Sequence, residues 1–241
     1  MKWGLRVFAL IIVLALGAYL WAEARLKPLD DTARQNAPGA FATLTDGPLH
    51  YRWDGPEDGT VIVLVHGFSP PNFIYQQNVE ALNAASFRTL RFDHFGRGWS
   101  DRPKTRYDVD FYDRTLIDLL DHVGVDEPFG LAGLSMGGPI VAEFTARYPE
   151  RVKQLVLLVP AGLDTAGADG SSAALLRTPL VGDWIWRMFG KSILLGASQY
   201  DEAARTPEDR LQGDVTVQLE YRGWFQALLS TFRPLPLAGG R

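Results

Sequence analysis

A single serine stands between two glycines in the segment 129–138, Phe-Gly-Leu-Ala-Gly-Leu-Ser-Met-Gly-Gly. Apolar residues lead up to Ser135 and a helical pattern follows it, so the segment predicts a strand, a sharp turn and a helix. In a turn of the form G-x-S-x-G the serine is held in a strained backbone conformation, and Gly133 and Gly137 must be small for the turn to close. Such a turn, a nucleophile elbow, exposes a serine hydroxyl that can attack a carbonyl carbon.

A second glycine turn, His66-Gly67-Phe68, follows the apolar run Val63-Leu64-Val65. A run of this kind is typical of a strand that is covered on both faces. A free backbone N–H in the turn could point toward the pocket that the serine turn opens. We therefore expect the turn to contribute to an oxyanion hole, which stabilises negative charge on an attacked carbonyl oxygen.

The elements that must position these turns alternate between strands and helices. Strands are predicted at 49–53, 61–65, 87–92 and 152–159, and helices lie between 73 and 85, from Asp108 or Asp110 to Gly124, and from the serine turn to about Pro149. The order of strand, helix and strand favours parallel pairing. The predicted fold class is therefore α/β, with a mostly parallel sheet flanked by helices.

A third motif, residues 93–103, has the sequence Asp-His-Phe-Gly-Arg-Gly-Trp-Ser-Asp-Arg-Pro. In this order the three motifs resemble those of the α/β-hydrolase fold superfamily, specifically its lid-bearing serine hydrolases, over about residues 41–232. The resemblance implies that Ser135 is the nucleophile and that the backbone amides of Phe68 and Met136 are the oxyanion donors. Removing one such donor typically lowers the rate roughly a hundredfold.

The polar and glycine residues of the third motif are expected to build its turn. Asp93, Gly96, Gly98 and Ser100 resemble turn-building residues that follow a strand, and Asp93 and Ser100 are expected to form local hydrogen bonds. None of these residues is predicted to be catalytic.

The histidines are expected to be structural. In this family the histidine of the His-Gly turn, here His66, normally supports the loop geometry rather than acting as a base. His94 could approach the site, but a role in supporting its own turn is expected. His50 and His122 are expected at the surface or in strands.

The residue at the elbow separates the chemistries of this superfamily. Members that resemble haloalkane dehalogenases and epoxide hydrolases carry aspartate there, whereas Ser135 implies acyl transfer. In the implied route the serine attacks the carbonyl of a small-molecule ester, an acyl-enzyme forms and water releases the acid, so that no metal and no organic cofactor is needed. Apolar residues of the helical lid could line an acyl chain or could simply pack the lid onto the core; they are Trp184, Ile185, Trp186, Met188, Phe189, Ile193, Leu194 and Leu195.

The resemblance also implies an acid and a histidine after the serine in chain order. No histidine follows His122, so no catalytic histidine is identified, and Asp164 is the candidate acid. We expect the last core strands and helix to be missing from these residues, which would leave the apolar strand 152–159 at an exposed sheet edge. Without a base Ser135 is an ordinary alcohol, so this form is expected to be impaired or inactive.

Three hypotheses about function therefore remain open. The first is a serine hydrolase acting on carboxylic esters or lipid-like acyl substrates. The second is a noncatalytic, envelope-associated protein that binds a ligand in the lid pocket. The third is another serine-dependent chemistry of the superfamily, namely C–C bond hydrolysis or perhydrolysis.

Composition bounds the class of protein. The chain has 241 residues and a net charge of −4, which suits one main α/β domain and gives no reason to expect a nucleic-acid partner. It contains no cysteine, so it has no disulfides, no thiolate metal site and no cysteine nucleophile. No feature predicts a metal site or the oligomeric state.

The first residues read as a targeting segment. Lys2 and Arg6 precede an uncharged apolar run over 7–22, which predicts a signal peptide or an N-terminal membrane anchor within 1–24. If it is not cleaved, residues 3–22 would contact the membrane. The positive flank would keep the N-terminus in the cytoplasm and place the domain outside it, in the periplasm or outside the cell of a bacterium. The predicted organisation continues with a linker at 25–40, an α/β-hydrolase core at 41–161, a helical lid at 162–232 and an irregular tail at 233–241.

Overall fold

The structure is a computed structural model that describes residues 2–35, 37–162, 175–197 and 215–233. Within them lies one six-stranded sheet with the order β1-β2-β4-β3-β5-β6. Neighbours β4-β3, β3-β5 and β5-β6 are parallel, whereas β1-β2 and β2-β4 are antiparallel. The strands are β1 (Ala40–Leu44), β2 (Gly47–Asp54), β3 (Thr60–Val65), β4 (Phe87–Phe92), β5 (Phe129–Leu134) and β6 (Val152–Leu158).

The helices follow the predicted pattern in the core. They are α1 (Lys2–Ala24), α2 (Asp31–Arg34), α3 (Gln76–Ala84), α4 (Val109–His122), α5 (Gly137–Arg147), α6 (Val181–Ala197) and α7 (Trp224–Phe232), with 3₁₀ turns at Asn72–Tyr75 and Pro149–Arg151. Of the two possible caps for α4, Asp108 is the one used, because its Oδ1 accepts a hydrogen bond from the amide of Phe111 at 3.1 Å. Residues 175–177 and 215–218 are also helical, so the described parts of the expected lid contain helices as predicted.

Strand β3 shows why the core strands were recognisable from sequence. Val63 and Val65 point into the main core with α4 and α5, while Leu64 points to the opposite face with Val79 of α3. Side chains alternate across a strand, so a strand covered on both faces must be apolar at every position. The sheet is therefore sandwiched between helices, and the ends of β3 and β5 meet at one edge.

Strand β6 lies at the other end of the sheet from β1. Its Val156 and Leu157 are 40% and 43% exposed, although the sequence of β6 is that of an interior strand. The exposed apolar edge expected from the sequence is thus present in the described residues.

The N-terminal helix α1 lies outside the core. It has 23 residues with a mean hydropathy of 2.2 over its most apolar stretch, none of which is buried, so it is long and apolar enough to cross a membrane. It contacts α6, where Trp184 donates its indole N–H to the carbonyl of Ala15 at 3.0 Å and Arg187 donates to the carbonyl of Ala22 at 2.6 Å.

Residues 25–40, expected to form a linker, contain regular structure. Helix α2 is capped by Asp30, and the backbone of Lys27 pairs with Glu220 and Arg222 beside the lid. Arg34 donates to the carbonyl of Trp99 at 3.0 Å. These contacts hold the segment against the domain.

Candidate active site

Ser135 lies at the junction of β5 and α5, in the left-handed region of backbone conformation with φ +52°. A residue other than glycine is strained there. A Cβ atom on Gly137 would lie 2.2 Å from the carbonyl oxygen of Val65, and one on Gly133 would lie 2.4 Å from the carbonyl oxygen of Gly137. The turn can close only because both positions lack a side chain.

The His-Gly turn faces the serine across a short gap. A Cβ atom on Gly67 would lie 3.2 Å from the Cβ of Ser135 and 3.7 Å from its Oγ. Among the described residues, the amides of Phe68 and Met136 have no hydrogen-bond acceptor, and the Ser135 hydroxyl makes no hydrogen bond. The structure therefore brings together the serine and the two turns that the sequence assigned to one site.

Arg97 holds the turn that carries Phe68. Its guanidinium is fully buried and donates from Nε to the carbonyl of Phe68 at 2.9 Å and from Nη2 to Oγ1 of Thr231 at 2.8 Å. It also stacks on the Phe68 ring at 5.5 Å. No local sequence pattern singles out Arg97, because its partner Thr231 lies 134 residues away.

His66 is fully buried under the same turn and is bonded at both ring nitrogens. Nε2 accepts from the amide of His94 at 2.9 Å, so the proton lies on Nδ1, which donates to the carbonyl of Gly67 at 2.9 Å. Burial lowers the pKa of His66 to about 4. The imidazole is neutral at physiological pH and shapes the loop, with no free nitrogen for Ser135.

His94 lies against His66, with the two ring centroids 4.3 Å apart. Its Nε2 is 3.1 Å from the carbonyl oxygen of His66. Burial lowers its pKa well below the ordinary value, and electrostatic interactions with His66 and with the Arg97 guanidinium act in the same direction. His94 supports the turn and does not hydrogen-bond to Ser135.

Asp93 is a buried hub rather than only a local turn residue. Its carboxylate accepts hydrogen bonds from Nδ1 of His50 at 2.7 Å, from the amide of Asn72 at 2.8 Å and from the amide of Trp99 at 3.0 Å. Burial opposes its ionisation, but the charge and hydrogen bond of His50 outweigh burial and keep the pKa of Asp93 lowered. The same pairing raises the pKa of His50 despite its burial.

The expectation that His50 and His122 lie at the surface or in strands agrees with the structure. His50 lies in β2 and is only 1% exposed. The carboxylate of Asp93 offsets the free-energy cost of burying its imidazole. His122 ends α4 and is exposed.

The glycines and serine of the third motif pack around this hub. Gly98 has φ +52°, and a Cβ atom there would fall 1.9 Å from Oδ2 of Asp93. Ser100 donates to the carbonyl of Asp93 at 2.6 Å and accepts from the amide of His50 at 2.9 Å. Gly96 approaches Ala227 of α7, so the motif also supports the lid.

Among the described residues, none of the histidines is placed to activate Ser135. All four histidines of the chain lie in the described residues, and none of them hydrogen-bonds to Ser135. Asp164, the candidate acid, lies outside the described residues. Within the described part there is no group of three or more histidine, aspartate or glutamate residues placed to hold a metal ion.

The apolar lid residues divide between two roles. Trp186 is 4% exposed and packs with Phe225, Leu228 and partly buried neighbours that include Phe68. Phe189, by contrast, is 52% exposed. The lid cluster thus reaches the side chain of Phe68. Phe189 of the same lid faces outward, and the side chain of Leu195 lies outside the described residues.

A comparison with family models identifies the family of the chain. The family model of the alpha/beta hydrolase fold matches residues 60–224, from the start of β3 into α7. The chain belongs to the α/β-hydrolase fold family. The predicted fold class is thereby confirmed, and the six-stranded mixed sheet with its flanking helices is the α/β-hydrolase architecture.

Known α/β-hydrolase fold proteins resemble the chain at moderate identity. It is 38% identical over 125 residues to a cis-3-alkyl-4-alkyloxetan-2-one decarboxylase of Shewanella oneidensis, covering 49% of this chain and 37% of that one. A protein of the same name from Xanthomonas campestris is 30% identical over 169 residues, covering 66% of this chain and 56% of that one. The crystal structure of wild-type Cfl2 from Burkholderia cenocepacia superposes with a TM-score of 0.68 at 27% identity, covering 80% of this chain and 69% of that one. The chain thus matches less than two thirds of the length of these two curated relatives.

Proposed function

We propose that this α/β-hydrolase acts on carboxylic esters or lipid-like acyl substrates through an acyl-enzyme on Ser135. The observation that carries the proposal is the position of Ser135: a strained elbow serine with an unbonded hydroxyl, set against a glycine turn. The two amides without acceptors, those of Phe68 and Met136, are the proposed donors to the oxyanion. The metal-free and cofactor-free route needs only these groups and a base.

The expected chemistry follows from that arrangement. Ser135 Oγ attacks the ester carbonyl while the base takes its proton and later returns a proton to the leaving alcohol, and the two amides stabilise the negative oxygen of the tetrahedral intermediate. The alcohol leaves, and water then attacks the acyl-serine to release the acid. Arg97 acts through Phe68, because it fixes the carbonyl of the same residue whose amide is a proposed donor.

The names of two relatives are in keeping with an acyl substrate. The Shewanella and Xanthomonas proteins are named for an oxetan-2-one, which is a four-membered cyclic ester. An attacked ester carbonyl of that kind would develop the charge that the proposed donors accommodate.

The central test is labelling of Ser135. The full chain should react with a fluorophosphonate probe, slowly because no histidine hydrogen-bonds to Ser135, and Ser135→Ala should abolish the label, read by intact-protein mass spectrometry. Ser192→Ala, which removes an exposed serine from α6, is the matched control and should label like the parent. Labelling that survives Ser135→Ala would overturn the assignment of the nucleophile.

The second test concerns the base. Because no histidine hydrogen-bonds to Ser135 in this chain, turnover of p-nitrophenyl butyrate should be slow, and added imidazole should increase it. The increase must exceed that seen with Ser135→Ala, which corrects for hydrolysis by imidazole in solution. Fast turnover without imidazole would show that another group of the chain activates the serine.

A noncatalytic binding role is the competing proposal, favoured by the finding that none of the four histidines hydrogen-bonds to Ser135. It predicts saturable binding of a fatty acid or acyl ligand with no fluorophosphonate label on Ser135. Labelling of Ser135 would exclude this role.

Two assays test the remaining serine chemistries. Hydrolysis of meta-cleavage products would indicate C–C bond hydrolysis, and formation of a peracid would indicate perhydrolysis.

A further inference from the structure

A cavity of about 540 Å³ lies between the N-terminal helix and the lid, away from the candidate active site. Its walls come from α1, from the loop 102–107 and from α7 with the turn that precedes it, and none of Ser135, Phe68 and Met136 lines it. The volume is that of an ordinary small-molecule site. The cavity therefore needs an explanation that the ester chemistry does not supply.

The cavity is lined by three cationic side chains, Arg102, Lys104 and Arg222. In the described residues none of the three forms an ion pair. Arg102 donates to the carbonyl of Arg222 at 2.8 Å and to Oε1 of Gln218 at 3.4 Å, but its buried Nε has no partner. A cationic cluster is notable in a chain of net charge −4.

The acidic side chains around the cavity are already neutralised. Glu23, the one carboxylate in the lining, contacts Nε of Arg187 at 3.2 Å and accepts from Gln226 at 3.0 Å. Asp101 pairs with Arg34 at 3.2 Å. Burial lowers the pKa of Arg102 to about 9, and the nearby carboxylate of Asp101 offsets burial only in part. An anion would supply the missing charge.

The wall supplied by α1 indicates where such an anion would come from. Tyr19 and Glu23, which line the cavity, lie in the last two turns of α1. A helix of 23 residues is about 34 Å long, close to the thickness of a bilayer core. If α1 spans a membrane with Lys2 and Arg6 on the cytoplasmic side, its last turns lie among the outer lipid headgroups.

We propose that this cavity binds the phosphate-bearing headgroup of an anionic phospholipid, held by Arg102, Lys104 and Arg222. Guanidinium and ammonium groups are the usual ligands of phosphate oxygens. The choice of a lipid as the source of the anion rests on the proposed membrane position of α1. The cationic site itself does not depend on the proposed hydrolase activity. A bound headgroup would fix the lid side of the domain against the bilayer.

The experiment uses the full chain in detergent micelles with Ser135→Ala, so that binding is measured without hydrolysis. Dihexanoyl phosphatidylglycerol should bind saturably in isothermal titration calorimetry. Lys104→Gln with Arg222→Gln should weaken binding roughly tenfold, and both side chains are exposed, so the fold is kept. Dihexanoyl phosphatidylcholine, whose headgroup has no net charge, should bind more weakly than phosphatidylglycerol.

The matched control removes two exposed cations that do not line the cavity, Arg106→Gln with Lys191→Gln. It should bind phosphatidylglycerol like the parent. Equal affinity of the parent and of Lys104→Gln with Arg222→Gln would overturn the proposal. So would inorganic phosphate binding as tightly as phosphatidylglycerol, because the site would then recognise a free anion rather than a lipid headgroup.

Discussion

Gly137 fixes the position of Ser135 through a contact with backbone atoms. A methyl group at Gly137 would lie 2.2 Å from the Val65 carbonyl oxygen and 2.9 Å from that of His66, and backbone at the end of a central strand cannot move aside. Gly137→Ala should therefore destabilise the fold by about 2–4 kcal/mol and prevent fluorophosphonate labelling. The free energy of unfolding in urea measures the loss of stability, and fluorophosphonate labelling of Ser135 measures the loss of reactivity.

Gly130→Ala in β5, the strand that leads into the serine turn, is the control for this substitution. Its Cβ would meet the side chain of Ile62 at 3.2 Å, and a side chain can adjust where backbone cannot. It should cost less than about 1.5 kcal/mol and keep the label. A cost for Gly137→Ala no larger than that of Gly130→Ala would mean that the elbow can relax.

His66 makes the fold sensitive to acid. Its pKa is about 4 in the folded chain against 6.5 in the unfolded chain, so between these values the unfolded state binds a proton that the folded state does not. Stability should fall as the pH falls from 6.5 to 4, by on the order of 3 kcal/mol from His66. His94, whose pKa is also lowered, acts in the same direction.

The measurement is the free energy of unfolding in urea at several pH values. His66→Gln should flatten the slope on the acid side, while His122→Gln, which replaces an exposed histidine, should leave it unchanged. His50 opposes the trend: its raised pKa gives stability that is present below pH 6.5 and lost as the pH rises through the folded-state value. An acid slope as steep in His66→Gln as in the parent would assign the effect to other groups.

Sequence reasoning reached the residues whose roles are local. The glycines around Ser135 and the His-Gly turn are required by backbone geometry within a few positions, so their spacing predicts them. The pairing of His50 with Asp93 and the contact of Arg97 with Thr231 join residues 43 and 134 positions apart. No local pattern encodes such contacts, because only the folded topology brings the partners together.

A buried hydroxyl, that of Thr231, links helix α7 to Arg97 and to α4. Thr231 bonds to Nη2 of Arg97 at 2.8 Å, to the hydroxyl of Tyr112 in α4 at 2.7 Å and to the carbonyl of Ala227 at 3.0 Å. Thr231→Val keeps the shape and leaves two buried polar groups unpaired, so it should cost about 2–4 kcal/mol. It should also slow labelling of Ser135, because Arg97 carries the Phe68 turn.

The control is Thr145→Val in α5. Thr145 makes the same bond back to its own helix, to the carbonyl of Val141 at 2.7 Å, but no bond to another element in the described residues. It should cost less than about 1 kcal/mol. Thermal unfolding with circular dichroism compares the two variants, and similar losses would show that the contacts of Thr231 outside its helix contribute nothing.

Strands and helices with a clear hydrophobic pattern are predictable from the sequence, whereas those without one are not. The continuous apolar run of β3 and the amphipathic stripe of α4 have one physical explanation each, burial on both faces and burial on one face. Strand β1, with the sequence Ala-Phe-Ala-Thr-Leu, has two small residues in five and becomes a strand by pairing with β2. Helix α2 has four residues, too few to show a period.

At the scale of the whole molecule, we predict that α1 determines where the domain lies. We expect the full chain to remain in the membrane fraction after an alkaline carbonate wash, and deletion of residues 2–24 to move it to the soluble fraction. Protease added to intact cells or spheroplasts should cut the domain, since Lys2 and Arg6 favour a cytoplasmic N-terminus.

Charge reversal tests the orientation. Lys2→Glu with Arg6→Glu removes the positive flank and should reduce export of the domain, whereas Arg25→Gln, on the other side of the apolar run, should not. A mature chain that begins after residue 24 by mass spectrometry would identify a cleaved signal peptide instead of an anchor.

The hydrogen bond from Trp184 to the carbonyl of Ala15 gives the molecule an optical signal. The indole of Trp184 lies between the lid helix and the N-terminal helix, so its emission wavelength depends on whether the two stay together. Separation would expose the ring to water and shift its fluorescence to the red. Comparing the parent with Trp184→Phe would isolate this one emitter among the seven tryptophans of the chain, and a spectrum could then follow the docking of the lid in real time.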